Sequence, residues 1–209
     1  MEEIMTGGIN LDFSRNYTLE NERVLLRPLR IEDYDYLLPF ALNEPEIWTY
    51  SQIPAAGENG LRDYIQAAQE GRTAKKEYPF IVYDKQSQAY AGSTRFYDIQ
   101  PFNQSAQLGY TWYGSAFQRT GLNRNCKFLM LDFAFRTAGM ERVEFRADNN
   151  NSRSIDAMKA IGCTVEGVLR SNGLKADGTR RDSIVLSILR PEWEGGIRTA
   201  LAAKAGIPV

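Results

Sequence analysis

Residues 118–124, Gln-Arg-Thr-Gly-Leu-Asn-Arg, lie between an aromatic-rich stretch, LGYTWYGSAF, and a long amphipathic run, NRNCKFLMLDFAF. A strand, a short loop with a glycine, and the first turn of a helix form an arrangement that gathers free backbone N–H groups and the positive end of the helix dipole around an anion. Gly121 allows backbone geometry or close ligand approach that a side chain would hinder. Arg119, Arg124 and Lys127 can add charge-assisted contacts. The loop is therefore a candidate phosphate cradle, although a glycine is common in strand-to-helix turns and exposed Arg and Lys also simply solvate a surface. It is neither G-x-x-x-x-G-K-[ST], having no acidic residue placed to hold magnesium, nor G-x-G-x-x-G.

Histidine is absent, which removes the commonest general base, the Ser-His-Asp and Cys-His triads and most catalytic zinc sites. The two cysteines, Cys126 and Cys163, are too few for a disulfide framework or a zinc site and read as buried thiols. No metal site is expected. Asn151 stands where it can cap the helix that opens at SRSIDAMKAIG.

Elements must hold these residues in place, and the chain is long enough to supply them. Its 209 residues, 43% hydrophobic and 24% charged, suit one globular domain with a substantial core. With 25 basic against 26 acidic residues, no overall field draws the protein to nucleic acid or to an anionic membrane. No apolar run approaches the roughly 20 residues that span a bilayer, and the start MEEIMTGGIN lacks a signal pattern. A cytoplasmic location is the default expectation, which makes the triplets NYT, NQS and NNS incidental.

Residues 1–20 are polar and aperiodic and read as an arm, followed by a domain over 21–193 and a tail over 194–209 that forms at most a last helical turn or two. RVLLRPL reads as a first strand. IEDYDYLLPFAL follows as a helix with Ile31, Tyr34, Leu37 and Leu38 at helical spacing, and NGLRDYIQAAQEG as a second helix. YPFIVYD, AYAGSTRFYDI and SAQLGYTWY form an antiparallel meander. The helix after the loop turns Leu122, Cys126, Leu129, Met130 and Phe133 inward and stops at Gly139. RVEFRAD is a strand, NSRSIDAMKAIG a helix with Ile155, Met158 and Ile161 inward, and TVEGVLRSNG and DSIVLSIL a closing pair joined by the turn KADGT.

Several segments resemble, in order, one family. QRTGLN resembles the Q/R-x-x-G-x-G/A loop of the GNAT superfamily of N-acetyltransferases. RVLLRPLRIEDYDYL is similar to the opening of its RimJ/RimL-type branch, QLGYTW to its central splayed strand, NNNSRSIDAMKAIGC to its N-x-x-S helix start, and VEGVLR with RRDSIVLSILRPEW to its last strands. The resemblance implies an α/β (α+β) GNAT fold: a central mixed, largely antiparallel sheet of about seven strands with a V-shaped splay between the fourth and fifth, flanked by about four helices.

It also implies acetyl-CoA as cofactor. The pyrophosphate would sit on Gln118, Arg119, Thr120, Gly121, Leu122 and Asn123, with Arg124 beside them. The backbone of Tyr110, Thr111 and Trp112 would meet the pantetheine arm and polarise the thioester, although the three also read as a half-buried strand. Asn151 would contact the cofactor arm and Ser154 would lie near its sulfur, making this pair the catalytic candidates. Trp48 and Tyr50 would border the acceptor, or else serve core or dimer packing. The chain departs from the family pattern at Asn123 (Gly or Ala is usual), at Ala160 and Cys163, and at Gln107, where many relatives have Glu. An amide cannot accept the substrate proton.

The implied activity is transfer of acetyl from acetyl-CoA to a primary amine. A protein N-terminal α-amine, titrating near about 7.7 to 8.0 against about 10.4 for lysine, suits a site without an evident base. A small-molecule acceptor (polyamine or antibiotic) or a non-catalytic acyl-CoA-binding module are the alternatives. The expected partners are acetyl-CoA and an amine-bearing acceptor, with no nucleic acid and no membrane, for a monomer or homodimer.

Overall fold

A computed structural model describes residues 8–175 and 178–208. Residues 1–7 of the expected arm, Ala176 and Asp177 in the expected KADGT turn, and Val209 of the tail lie outside the described residues.

Eight strands form one sheet in the order β1-β2-β3-β4-β5-β6-β8-β7. They are β1 (Leu19–Glu20), β2 (Val24–Pro28), β3 (Tyr78–Asp84), β4 (Ala89–Gln100), β5 (Ser105–Tyr113), β6 (Arg142–Asp148), β7 (Thr164–Leu174) and β8 (Arg180–Leu189). Every neighbouring pair is antiparallel except β5 and β6. The helices are α1 (Tyr34–Asn43), α2 (Gly57–Thr73), α3 (Leu122–Asp132), α4 (Ser152–Ala160) and α5 (Arg198–Ala205).

Side chains alternate across a strand, and the two faces feed separate cores. Ile81 and Trp112 join Leu37, Trp48, Leu61, Tyr64 and Ile65 under α1 and α2. Phe80, Val82, Leu108 and Tyr113 join Leu122, Cys126, Met130, Ile155, Met158 and Leu201 under α3, α4 and α5. The loop at Gln118–Asn123 thus emerges at one end of a sheet gripped on both faces. No helix among the described residues is long and apolar enough to cross a membrane.

Three expectations change. The sheet has eight strands rather than about seven, because β1 forms in the expected arm and pairs with β2 at Leu19↔Leu26. The same segment buries Leu11 and Tyr17 in the core, and the Tyr17 N–H donates to the Tyr78 hydroxyl at 3.1 Å. These are long-range contacts, which leave no periodic trace in a short polar stretch. Ile31, expected inward, is 59% exposed, since Ile31–Asp33 is a 3-10 turn. Asp33 is the buried residue there, held by Arg27 at 2.6 Å and by the Arg30 N–H at 2.8 Å. The tail does form two helical turns, and α5 buries Leu201 and Ala202.

Candidate active site

The sheet opens where β5 meets β6. Ser105, Ala106 and Gln107 pair in parallel with Arg142, Val143 and Glu144, and beyond them the two strands carry on to Tyr113 and Asp148 without pairing. A bulge accompanies the split. Ser93↔Trp112 and Arg95↔Gly109 are in register, so Tyr110 and Thr111 together oppose the single residue Thr94. Tyr110 takes the left-handed conformation, φ 47°, which is costly for an aromatic residue and bends the bulged strand.

Neighbours lock that conformation. The Tyr64 hydroxyl donates to the Tyr110 carbonyl at 3.3 Å. The Tyr97 ring meets the Tyr110 ring edge-on at 4.9 Å, and the Arg95 guanidinium stacks over Tyr110 at 4.2 Å while paired with Glu77 at 2.6 Å. Burial raises the Tyr110 hydroxyl above the usual phenol range, with Arg95 opposing.

At the other end of β5 the chain makes the loop. Arg119 and Gly121 are both left-handed, φ 62° and 89°, and turns of this kind form anion-binding concavities from consecutive N–H groups. The Gly121 carbonyl accepts from the Arg124 and Asn125 N–H groups, and the Leu122 N–H reaches only the Thr120 hydroxyl at 3.4 Å. Among the described residues the N–H groups of Arg119, Thr120, Gly121 and Asn123 have no hydrogen-bond partner. Backbone donors are seldom left without one. They border an open groove of about 460 Å³ whose walls include Arg23, Arg119, Arg124, Asn125 and Lys204. Free donors, a helix N-terminus and four basic side chains fit the diphosphate of a coenzyme A thioester.

The remaining sequence-derived residues have definite places. Gln118 braces the loop: its Nε2 donates to the Tyr113 carbonyl at 2.9 Å, and its Oε1 accepts from Arg153 of α4 at 2.8 Å. Asn123 accepts from the Tyr113 hydroxyl at 3.3 Å. Asn151 caps α4, its Oδ1 accepting the Ser154 N–H at 3.1 Å. The Ser154 hydroxyl has no hydrogen bond among the described residues, and the residue is half-buried. Trp48 is packed in the core against Trp112, ring centroids 4.8 Å apart. Tyr50 is exposed and lines a small pocket with Arg181.

Gln107 sits at the vertex of the V. Its Nε2 donates to Asp98 at 2.7 Å, and its Oε1 is buried with no partner among the described residues. Across the register, Glu144 is clamped by Arg142 and Arg146, each at 2.7 Å. Neither residue is a free base.

Lys127 corrects an expectation. It does not join the anion cradle but is 6% exposed, because a helix that buries Leu122 and Cys126 also turns this position toward the sheet. Its ammonium donates to Thr111 Oγ1 at 2.8 Å and lies over Phe145 of β6 at 5.6 Å, so it reaches from α3 to both arms of the V. Burial lowers it to about 8. Cys126 and Cys163 are free and buried, and burial pushes both thiols up to about 12.

Sequence reasoning missed Arg23, Asn125 and the end of α5. Asn125 is buried and ties the cradle together, donating to the Gly121 and Ala205 carbonyls at 3.2 and 3.4 Å and accepting from Asn21 at 2.8 Å. The polar Asn125 one residue before Cys126, on a helix read as amphipathic, was the available signal.

A profile of the acetyltransferase (GNAT) domain family matches residues 23–164. The chain belongs to the GNAT family of acetyltransferases. Over 183 residues it is 27% identical to the N-acetyltransferase p20 of Bacillus licheniformis, covering 85% of this chain and 99% of that protein. The fold of this acetyltransferase is also that of a GCN5-related N-acetyltransferase from Brucella melitensis, with TM-score 0.85, 24% identity and coverage of 94% and 88% of the two chains. Mycobacterium smegmatis RimJ, solved in complex with CoA-disulfide, superposes with TM-score 0.75 at 19% identity over 90% of this chain and 93% of that one. As a GNAT enzyme it uses acetyl-CoA.

Proposed function

We propose that this enzyme acetylates the α-amine of a protein or peptide N-terminus. The observation that carries the reading is the pairing of an unsatisfied amide cradle at Arg119–Asn123 with a β5 edge that leaves β6 after Gln107. When bound, acetyl-CoA supplies an activated thioester. The loop amides, with Arg119 and Arg124, hold the diphosphate, and the unpaired edge of Tyr110, Thr111 and Trp112 offers main-chain groups to the arm and an N–H donor to the carbonyl oxygen as charge develops on it. Asn151 fixes the start of α4, and Ser154 places a free hydroxyl to donate a hydrogen bond to the departing thiolate, which takes up the proton that the amine nitrogen sheds after attack.

The proton of the attacking amine has no strong acceptor among these residues, since Gln107 is an amide and Glu144 is held by two arginines. An α-amine is already substantially neutral near pH 8, whereas lysine is not. Release of CoA thiol should therefore be much faster with a peptide bearing a free α-amine and no lysine than with an N-blocked lysine peptide. A clear preference for the lysine peptide overturns the reading, and so does release with polyamines or aminoglycosides but not with either peptide.

A further inference from the structure

Among the described residues Arg181 is a buried arginine without a bonded partner. It is 7% exposed, yet its guanidinium makes no hydrogen bond or ion pair among the described residues, and its Nε is sealed off without a partner. Arginine carries five donors and does not deprotonate to escape such a site. A buried unpaired charge is among the costliest features a fold can hold, and Arg95, the comparable buried arginine, is paired with Glu77.

Its position gives the vacancy a use. Arg181 pairs with Gly173 on β8 and β7, two residues before the β8–β6 register begins at Ser183↔Asp148. This is the open end of the V. There it lines a pocket with Tyr50, Ser51, Gln52, Asp148 and Lys175, of about 10 Å³, space for the tip of a polar group rather than for a ring or chain. The one carboxylate in the pocket, Asp148, partly offsets the Arg181 charge across space without bonding it; it accepts the Asn150 N–H at 2.9 Å and faces Lys175 at 3.8 Å. Two cations against one anion leave the pocket positive.

We propose that Arg181 receives a carboxylate of the acceptor, so that the amine acetylated belongs to a molecule carrying a carboxylate close to it. A guanidinium N–H donates a charge-assisted hydrogen bond to a carboxylate oxygen that enters this space. The same positive pocket disfavours polyamines. The carboxylate has two sources, the acidic side chain at the start of a peptide or the α-carboxylate of a free amino acid. This inference rests on the N-acetyltransfer reading and narrows its acceptor.

The test compares kcat/KM for a peptide beginning with glutamate and its glutamine twin, and for free glutamine and its α-carboxamide, in wild type, Arg181→Met and Arg181→Lys. Wild type should favour a carboxylate member by at least about tenfold, expressed in KM, as expected for one charge-assisted pair. Preference within the peptide pair assigns a side-chain carboxylate, and preference within the amino-acid pair assigns the α-carboxylate. Arg181→Met should erase the preference by weakening only the carboxylate acceptors, with acetyl-CoA affinity unchanged and Tm equal or higher, while Arg181→Lys keeps part of it. Equal rates for both members of each pair in wild type, or an equal loss for all acceptors in Arg181→Met, overturns the inference while leaving N-acetyltransfer standing. Absence of CoA release with any amine removes both.

Discussion

Ser154 is held by its backbone and leaves its hydroxyl free, since Asn151 takes the Ser154 N–H and nothing takes the Oγ. Ser154→Ala should therefore lower turnover about 100-fold, the scale of losing one positioned hydrogen-bond donor to a developing negative charge, with acetyl-CoA affinity nearly unchanged in a binding titration. Unchanged turnover removes Ser154 from the mechanism. Lys127 makes a different prediction. Its folded value of about 8 lies below the ordinary 10.5, so the unfolded chain binds the extra proton between these values and folding stability rises as pH climbs from about 8 to about 10.5. Below pH 8 the buried charge costs on the order of 3 kcal/mol, less the hydrogen bond to Thr111. Lys127→Met should then gain about 1–3 kcal/mol at pH 7, measured by urea unfolding, and lose most of that gain at pH 10. Equal destabilisation at both pH values would contradict the assignment. The strand–loop–helix arrangement around Gln118–Arg124 was legible because it spans a few positions, whereas the burial of Arg181 and Lys127 was illegible, since it depends on neighbours distant in sequence.

Among the elements, β4 and β5 set the geometry of the splay, and their close approach shows in Gly92. A Cβ there would fall against the Trp112 carbonyl oxygen, in a backbone conformation, φ 153°, that side chains rarely adopt. Gly92→Ala should cost about 3 kcal/mol or more in a denaturant melt, and a variant of wild-type stability would show that the two strands can part there without loss. Most elements followed from periodicity: β3 to β6, α3, which a π turn over Phe133–Thr137 carries on until just before the left-handed Gly139, and α4 with Ile155, Met158 and the following Ile161 buried. The exceptions have a common cause. The pair Leu19–Glu20, the 3-10 turn at Ile31–Asp33 and the bulge at Tyr110 are fixed by specific partners, Leu26, Arg27 and Thr94 among them, and a repeat of period 2 or 3.6 does not encode such contacts.

For the whole molecule, the anion groove gathers Arg23 from the start of the domain, the Arg119–Asn125 segment from its middle and Lys204 from its last helix. The segment read as a tail supports it through Ala205 at the end of α5, and Asn21, next to β1, supports it from the start of the domain, each bonded to Asn125. Family resemblance located the loop, but no local pattern joins positions 23, 125 and 204; only the closed fold does. The diphosphate cradle is tested most directly by titrating the protein with acetyl-CoA and with acetyl-pantetheine, which carries the same thioester arm and no diphosphate. Two or more charge-assisted hydrogen bonds to the loop amides predict saturable acetyl-CoA binding at least about 100-fold tighter than that of acetyl-pantetheine. Equal affinity for the two, or no association with acetyl-CoA at millimolar concentration, would contradict it.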